Sequence, residues 1–284
     1  MSDDEILVFI TSIAIAAWGW YKWYAALGKF NSLNRKRPGL FWLSIIPLIA
    51  WGGIFYVLKT MASFDVREDI GYLWFYIIFG AAWIVAGRGI FFYLFDISWR
   101  DDAVERQNPA AVYTISCGII GLAAFYAGAN IGDGPGWWCV LFAGGLAAVV
   151  WFGLMMILEK SCEISEKITI ERDLPTGIRT GYYLIASGII CGRGAAGDWS
   201  SALKTVIEFK DAWPVLLLTI IAILVQQVSP RDNPAKPIEA LSFTAHIWGL
   251  FYIVLAIIAV LLVPPLPENP YYGLVIPLGL GLNR

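Results

Sequence analysis

The chain has few of the residues on which most enzymes and metal proteins depend. It contains one histidine and four cysteines in 284 residues, and charged residues make up only 15%. The cysteines lack metal-ligand spacing, no glycine-rich loop precedes a Lys-Ser/Thr pair, and no His-Glu-x-x-His occurs. One histidine also makes a Ser/His/Asp triad improbable. We therefore expect no enzyme, no metal, no cofactor and no nucleic-acid partner. The cysteines are Cys117, Cys139, Cys162 and Cys191.

Apolar residues are abundant instead, at 58% of the chain with a mean hydropathy of +0.67. A helix needs roughly 20 apolar residues to cross a bilayer core of about 30 Å. The sequence therefore predicts an all-α, polytopic transmembrane helix bundle forming a single membrane domain over residues 1–284, with the lipid bilayer as its first partner. About eight segments are long enough: 5–26, 39–60, 71–95, 109–130, 136–159, 175–193, 212–229 and 238–264. The sixth segment carries Arg179, and the seventh ends in Gln226-Gln227.

The N-terminus and the basic residues predict location and orientation. Met1-Ser2-Asp3-Asp4-Glu5 is acidic, which fits neither a secretory signal nor an organelle presequence and favours a bacterial inner membrane. With both termini outside, the inner loops hold twelve Lys and Arg residues and the outer segments six. Because short basic loops stay cytoplasmic, we predict that the N-terminus and the C-terminus both lie outside.

One short segment occurs twice at an offset of 66 residues. Glu105-Arg106-Gln107-Asn108-Pro109 recurs as Glu171-Arg172-Asp173-Leu174-Pro175. A fixed-period match indicates a duplicated structural unit. We place the units at 70–132 and 136–198, between an N-terminal helix pair (1–69) and a C-terminal pair with a tail (205–284). Since two spans separate equivalent helices, the copies should share their orientation about an axis along the membrane normal.

The repeated segment also predicts two helix starts. Proline is favourable in a first helical turn, so Pro109 and Pro175 should open the second helix of each unit. Asn108 is then a good N-cap, whereas Leu174 is a poor one. Glu105-Arg106 and Glu171-Arg172 have two interpretations: they gate an entrance or dock a partner, or they are helix-start and loop-packing residues, which we favour.

The same region resembles a bacterial inner-membrane family known as domain of unknown function 350. Ile164-Ser165-Glu166-Lys167-Ile168, followed by Glu171-Arg172 and Gly177-Ile178, resembles one family unit, and the segment 105–111 resembles another. Leu174 departs from the asparagine expected there. The resemblance covers about 70–210 and implies tandem two-helix units, but no activity.

Two single residues are candidates for binding. Arg88 is a charge within the 71–95 span, and a charge at such a depth is a functional hypothesis by default; alternatively it pairs with a carboxylate or with carbonyl groups and fixes the packing. His246, inside the last span, could ligate haem or a pigment. We favour a packed, hydrogen-bonded histidine there.

Small and aromatic residues suggest packing roles. Three glycine pairs with helical spacing predict close helix–helix contact: Gly128 and Gly132, Gly177 and Gly181, Gly188 and Gly192. Many of the 14 tryptophans lie near span ends, which is typical of an interfacial belt: Trp18, Trp20, Trp23, Trp99, Trp137, Trp138, Trp199 and Trp213.

The function that the sequence favours is a non-catalytic scaffold or accessory subunit, bound to other membrane-protein subunits or to itself. The alternative is a channel or transporter for an ion or small cation that uses Arg88 and the interface between the repeats. A cofactor-binding role in electron transfer would depend on His246.

Overall fold

The computed structural model describes residues 1–33, 38–229 and 238–263, and within these ranges the chain is built from helices. Eleven α-helices follow one another in this order: α1 (Asp3–Leu33), α2 (Pro38–Thr60), α3 (Phe64–Glu68), α4 (Ile70–Phe95), α5 (Pro109–Ala129), α6 (Trp137–Cys162), α7 (Ile164–Thr169), α8 (Leu174–Ala195), α9 (Ala202–Glu208), α10 (Pro214–Val228) and α11 (Ile238–Leu262). A π-helix lies at Trp99–Glu105 and a 3₁₀ helix at Phe209–Ala212.

Eight of these helices coincide with the predicted spans, which confirms the helix bundle. Six described helices, α1, α2, α4, α5, α6 and α11, are long and apolar enough to cross a membrane unaided, and α10 joins the preceding short helices in a pair bent by 41°. The remaining one, α8, is less apolar, yet 17 of its 22 residues are buried. It packs against α5, α6, α10 and α11. Because these neighbours shield α8 from lipid, it can carry small and polar residues.

The long helices form two layers. In one layer α2, α5, α8 and α11 pack side by side, and in the other α1 lies beside α4, α4 beside α6, and α6 beside α10. Neighbours within a layer run in the same direction: Gly177 of α8 lies against Ala110 near the start of α5, and Gly192 lies against Ala124 near its end. The bundle therefore consists of four helix hairpins in a row, with the two units of the repeat in the middle.

The outer hairpins continue the arrangement of the repeat although they share no sequence motif with it. α2 packs on α5 as α11 packs on α8. α1 follows α4 in parallel, because Tyr72 donates a hydrogen bond to Glu5 at one end (3.2 Å) and Arg88 donates to the Gly19 carbonyl further along (3.4 Å). The two pairs that stand outside the sequence repeat thus belong to the same layered pattern.

The two loops that carry the repeated segment share backbone landmarks. Each begins with a left-handed residue that ends the preceding helix, Asp96 (φ 53°) and Glu163 (φ 52°), and each has a second one just before the next helix, Gln107 (φ 54°) and Arg172 (φ 57°). The second pair is 65 residues apart. An alignment with a constant offset of 66 residues therefore matches the two Glu-Arg pairs but places the two backbones one residue out of step at this point. The cause is that the first loop contains a π-helix where the second contains α7.

This shift corrects the predicted start of α8. Pro109 and Pro175 do lie in the first turns of α5 and α8, and Asn108 is the N-cap of α5. Leu174, however, is already helical, and the N-cap of α8 is Asp173, whose carboxylate accepts a hydrogen bond from the Thr176 amide at 3.0 Å. Both units therefore have a side-chain cap, which the letter-by-letter alignment hides.

The helix-packing role predicted for Gly132 is wrong. α5 ends at Ala129, and Gly132 lies in the following connection with φ 108°. This left-handed conformation leaves the helix and lets Gly132 form an isolated parallel bridge with Ala62. Gly128, four residues earlier, remains within α5 and does pack against α8.

Candidate functional site

The contact between α5 and α8 is the tightest interface of the bundle, and we refer to it as the seam. A methyl group at Gly188 would lie 2.7 Å from the Cα of Gly121, and one at Gly177 would lie 2.6 Å from the Cα of Ala110. Gly181 similarly faces Cys117, and Gly192 faces Ala124 and Phe125. Five predicted packing glycines thus meet in one place, where the absence of side chains brings two backbones together along the membrane-spanning length.

The repeated Glu-Arg pairs lie beside the seam but form no common site. Arg106 pairs with the buried Asp102 at 3.0 Å, and Glu105 pairs with Arg100 at 3.0 Å on the surface. Glu171 and Arg172 are exposed. All four residues are exposed, and the two pairs differ only in their partners, because Glu105 and Arg106 each form an ion pair within their own loop.

Arg88 lies in an aromatic cage at the contact of α1, α4 and the first loop. Its guanidinium carbon is 4.8 Å from the ring centres of Trp23 and Trp99 and 5.4 Å from that of Trp20. One nitrogen donates to the Gly19 carbonyl at 3.4 Å, while the buried Nη1 has no hydrogen-bond partner among the described residues. No ion pair in this part of the chain includes Arg88. Ring faces and one carbonyl therefore take the place of the carboxylate partner considered above.

The cage corrects the interfacial assignment of three tryptophans. Trp20 is 6% exposed and Trp23 is fully buried, and their indole N–H groups donate to the carbonyls of Ala81 (3.2 Å) and Leu43 (3.1 Å). Trp99 stacks on Trp23 with ring centres 4.8 Å apart. Trp18, earlier in the same helix, is 60% exposed, which is compatible with an interfacial belt. Position near a span end cannot separate these cases, because it says nothing about which face meets α4.

A second buried arginine, Arg179, lies in a polar network that the sequence did not single out. Its Nε donates to Gln226 at 2.8 Å and one Nη to the Thr176 hydroxyl at 3.1 Å. The Gln226 amide in turn donates to Thr180 at 3.2 Å. Arg179 lies inside α8, which is the sixth predicted span, and is only 4% exposed. The available signal was the matching pair of polar interruptions, Arg179 and Gln226, in two otherwise apolar spans.

The side chain of His246 contacts two tyrosines. Its Nδ1 is 3.3 Å from the Tyr182 hydroxyl, and its ring packs edge-on against Tyr113 and Tyr182. The half-buried ring is thus held by two tyrosines between α11 and the seam helices. Within the described ranges no group of three or more His, Cys, Asp and Glu residues is arranged to hold a metal ion.

An apolar cleft of about 400 Å³ opens between α2, α5, α8 and α11. Gly53 and Val57 of α2 line one side, Ala124 and Ala127 of α5 the floor, and Val260 of α11 contributes from the far side. Among the described residues that line it, Arg193 is the one with a charged side chain. Built at Gly53, a methyl group would touch nothing within 4 Å, so this wall has room. The cleft has room for an apolar group, and its described lining is almost entirely apolar.

Comparison with known proteins gives one match. A family model described as Domain of Unknown Function (DUF350) matches residues 43–195, which span α2 to the end of α8 and include both units of the repeat. No curated protein and no solved structure matches the chain.

Proposed function

The chain belongs to the DUF350 family, and from the shape of its bundle we propose that it is a non-catalytic scaffold or accessory subunit of a larger membrane assembly. In this proposal the apolar cleft seats a transmembrane helix of a partner subunit, which is another membrane protein or a second copy of the chain. The proposal assigns no reaction and no cofactor to the protein.

The apolar cleft is the observation that carries the proposal. Association of helices in lipid depends on close packing, because lipid tails are as apolar as the side chains and supply no hydrophobic driving force. Small residues make such packing possible, and the floor of the cleft consists largely of Ala123, Ala124, Ala127, Gly128 and Gly192. A partner helix would therefore bury its side chains against a surface already shaped for close approach.

Filling the cleft tests the proposal. We expect Gly53→Leu to reduce co-purification of the partner from native membranes in mild detergent by about tenfold, since roughly 1.4 kcal/mol of lost packing has this effect. Gly52→Leu is the matched control: Gly52 also has open space around it but does not line the cleft.

A photo-crosslinking residue at Val57 identifies the occupant directly. Crosslinks to one defined protein band, lost in Gly53→Leu, support the scaffold. Crosslinks to lipid alone, together with migration as a monomer without partners, would contradict it.

A channel or transporter for an ion or small cation is the second candidate. The polar network around Arg179 favours it, because buried charged groups inside a bundle often mark ion pathways. The closed seam weighs against a route between the repeats, since backbone groups fill that interface. Liposome flux is the discriminating measurement, and flux that is unchanged in Arg88→Ala and Arg179→Gln would rule out both arginines as parts of a pathway.

We further propose that the protein lies in a bacterial inner membrane with both termini outside. Part of the charge bias behind this orientation lies beyond the described residues, at Arg35, Lys36, Arg37, Arg231, Lys236 and Arg284. Single cysteines give the test: Ser200→Cys should react with an impermeant maleimide in intact cells, whereas Arg100→Cys should react only after permeabilisation. The reverse pattern would invert the topology.

A further inference from the structure

A polar cavity of about 290 Å³ lies where α6, α7 and α10 end, on the side of the bundle that carries the two loops. We refer to this face as the loop side. Lys160 and Lys167 line the cavity from α6 and α7, and Gln226, Gln227 and Ser229 line it from the end of α10. It is separate from the apolar cleft, and nothing in the proposed scaffold role uses it.

Lys167 is the distinctive residue of this cavity. It is only 8% exposed, and its ammonium donates to the Cys162 carbonyl. An ammonium has three donor hydrogens, and within the described residues the ammonium of Lys167 has no other hydrogen-bond acceptor and no ion pair. A buried charge is costly unless it is paired. The ammonium therefore faces the cavity with donors available and a positive charge to be balanced.

The other described lining residues include one further positive and one negative side chain. Lys160 adds a second ammonium, and Glu163 is the one acidic residue among the described residues that line the cavity. Gln226 links the cavity to the buried guanidinium of Arg179, because its amide oxygen accepts from Arg179 Nε. The nearby Glu159 is occupied by Ser165, whose amide and hydroxyl both donate to it. The two ammonium groups outnumber the one carboxylate among the described lining residues, and this net positive charge fits an anion.

A purely structural role accounts for only part of this arrangement. Lysine near a helix C-terminus is favourable because it meets the last carbonyl groups, and Lys167 does so at the end of α6. That role needs one contact and no cavity. It leaves unexplained why Lys160, Gln227 and Ser229 surround the same space.

We propose that this cavity binds a phosphoryl anion, either inorganic phosphate or the headgroup of an anionic lipid. A phosphoryl group has several acceptor oxygens pointing in different directions, which suits ammonium, amide and hydroxyl donors arriving from three helices. Lysine is a common phosphate ligand that acts as a point charge. The proposal does not depend on occupancy of the apolar cleft.

Binding to the full-length protein is the test, with two arms. In the first, protein in nanodiscs of neutral lipid is titrated with inorganic phosphate, and the shift of its unfolding temperature gives Kd. In the second, native mass spectrometry compares retention of phosphatidylglycerol with that of phosphatidylcholine. Binding in the first arm identifies a soluble phosphate ligand, and selective retention in the second identifies a lipid headgroup.

Variants tie the signal to the cavity. We expect Lys167→Met to weaken binding by about tenfold or more, as for loss of one charged hydrogen bond, and Lys160→Gln to weaken it by about threefold. Lys210→Met is the matched control, because Lys210 is exposed and lies on the side opposite the loops. Should Lys167→Met fail to fold, the exposed Lys160→Gln together with Gln227→Leu carries the test.

The proposal is overturned if neither phosphate nor anionic lipid binds preferentially. It is also overturned if the folded cavity variants bind as tightly as the unaltered protein and as Lys210→Met. In either case Lys167 serves only to cap the end of α6.

Discussion

Arg88 in the first unit of the repeat and Arg179 in the second are both buried inside the bundle, but their surroundings differ. Three indole rings and one carbonyl surround Arg88, and one of its nitrogens has no hydrogen-bond partner among the described residues. Arg179 is hydrogen-bonded to Gln226 and Thr176. The duplicated architecture therefore accepts a buried positive charge in two chemically unrelated ways.

The two loops compare in the opposite way, because different residues adopt the same backbone conformation at matching positions. Asp96 and Glu163 end their helices in the left-handed conformation, and Asn108 and Asp173 cap the helices that follow. Between these landmarks one loop holds a π-helix and the other α7. The comparison teaches that helix ends and the seam are shared by the two units, whereas each unit has its own buried polar groups.

A substitution that disrupts the seam between the two units should have the largest effect on stability. Gly188→Leu places a side chain where a methyl carbon would already lie 2.7 Å from Gly121. We expect a loss of about 3 kcal/mol or more, because overpacking at a backbone contact cannot be relieved by a rotamer change. Reversible unfolding in mixed micelles measures this. Gly145→Leu is the control, since Gly145 has nothing within 4 Å, and equal losses for both variants would contradict the seam.

Replacing each buried arginine by methionine tests the difference between the units. Arg179→Met leaves Gln226 and Thr176 without their partner, so we expect a loss of about 2–3 kcal/mol. Arg88→Met removes ring contacts but also removes a buried charge that lacks an ion pair, and we expect a loss below about 1 kcal/mol. Both free energies of unfolding should be measured in the same detergent. A larger loss at position 88 would show that the aromatic cage is the stronger environment.

Removing the two helix caps should lower the free energy of unfolding by amounts that differ less than those of the two arginine variants. Asn108→Ala removes the cap of α5 and also the bond from its amide nitrogen to the Ile168 carbonyl, 2.5 Å away in the other loop. We expect a loss of about 2 kcal/mol, against about 1 kcal/mol for Asp173→Ala, which removes one capping bond. Equal losses would mean that the bond between the loops contributes nothing.

Glycine at the left-handed loop residues should have the smallest effect. Gln107→Gly and Arg172→Gly relieve unfavourable positive φ angles at the price of a more flexible unfolded chain. We expect each to stabilise the protein by about 0.5 kcal/mol. Ser200→Gly, at an exposed residue without a positive φ, is the control and should give no gain. Stabilisation by only one of the two substitutions would show that the left-handed residues of the two loops are not equally strained.

Much of the fold follows from the sequence because spans and helix starts are local properties. Apolar run length predicts the eight helices, and proline in a first turn marks α5 and α8. The resemblance carried by 105–111 and 164–178 gave the family. The candidate sites were less accessible, because Trp20 and Trp23 resemble interfacial tryptophans until α4 is placed beside them. Arg179 likewise is an isolated polar residue in its span until Gln226 is seen to face it.

The sequence alone determines that this protein is a helical membrane bundle with a duplicated centre, since hydrophobic length and a repeated segment are properties of the chain itself. Only the tertiary structure decides that the seam glycines meet, that Arg88 lies among rings, and that α8 is shielded from lipid. It also decides that α2 and α11 leave a cleft beside the seam. These features depend on which helix faces are neighbours, and no local sequence pattern records that for residues on different helices.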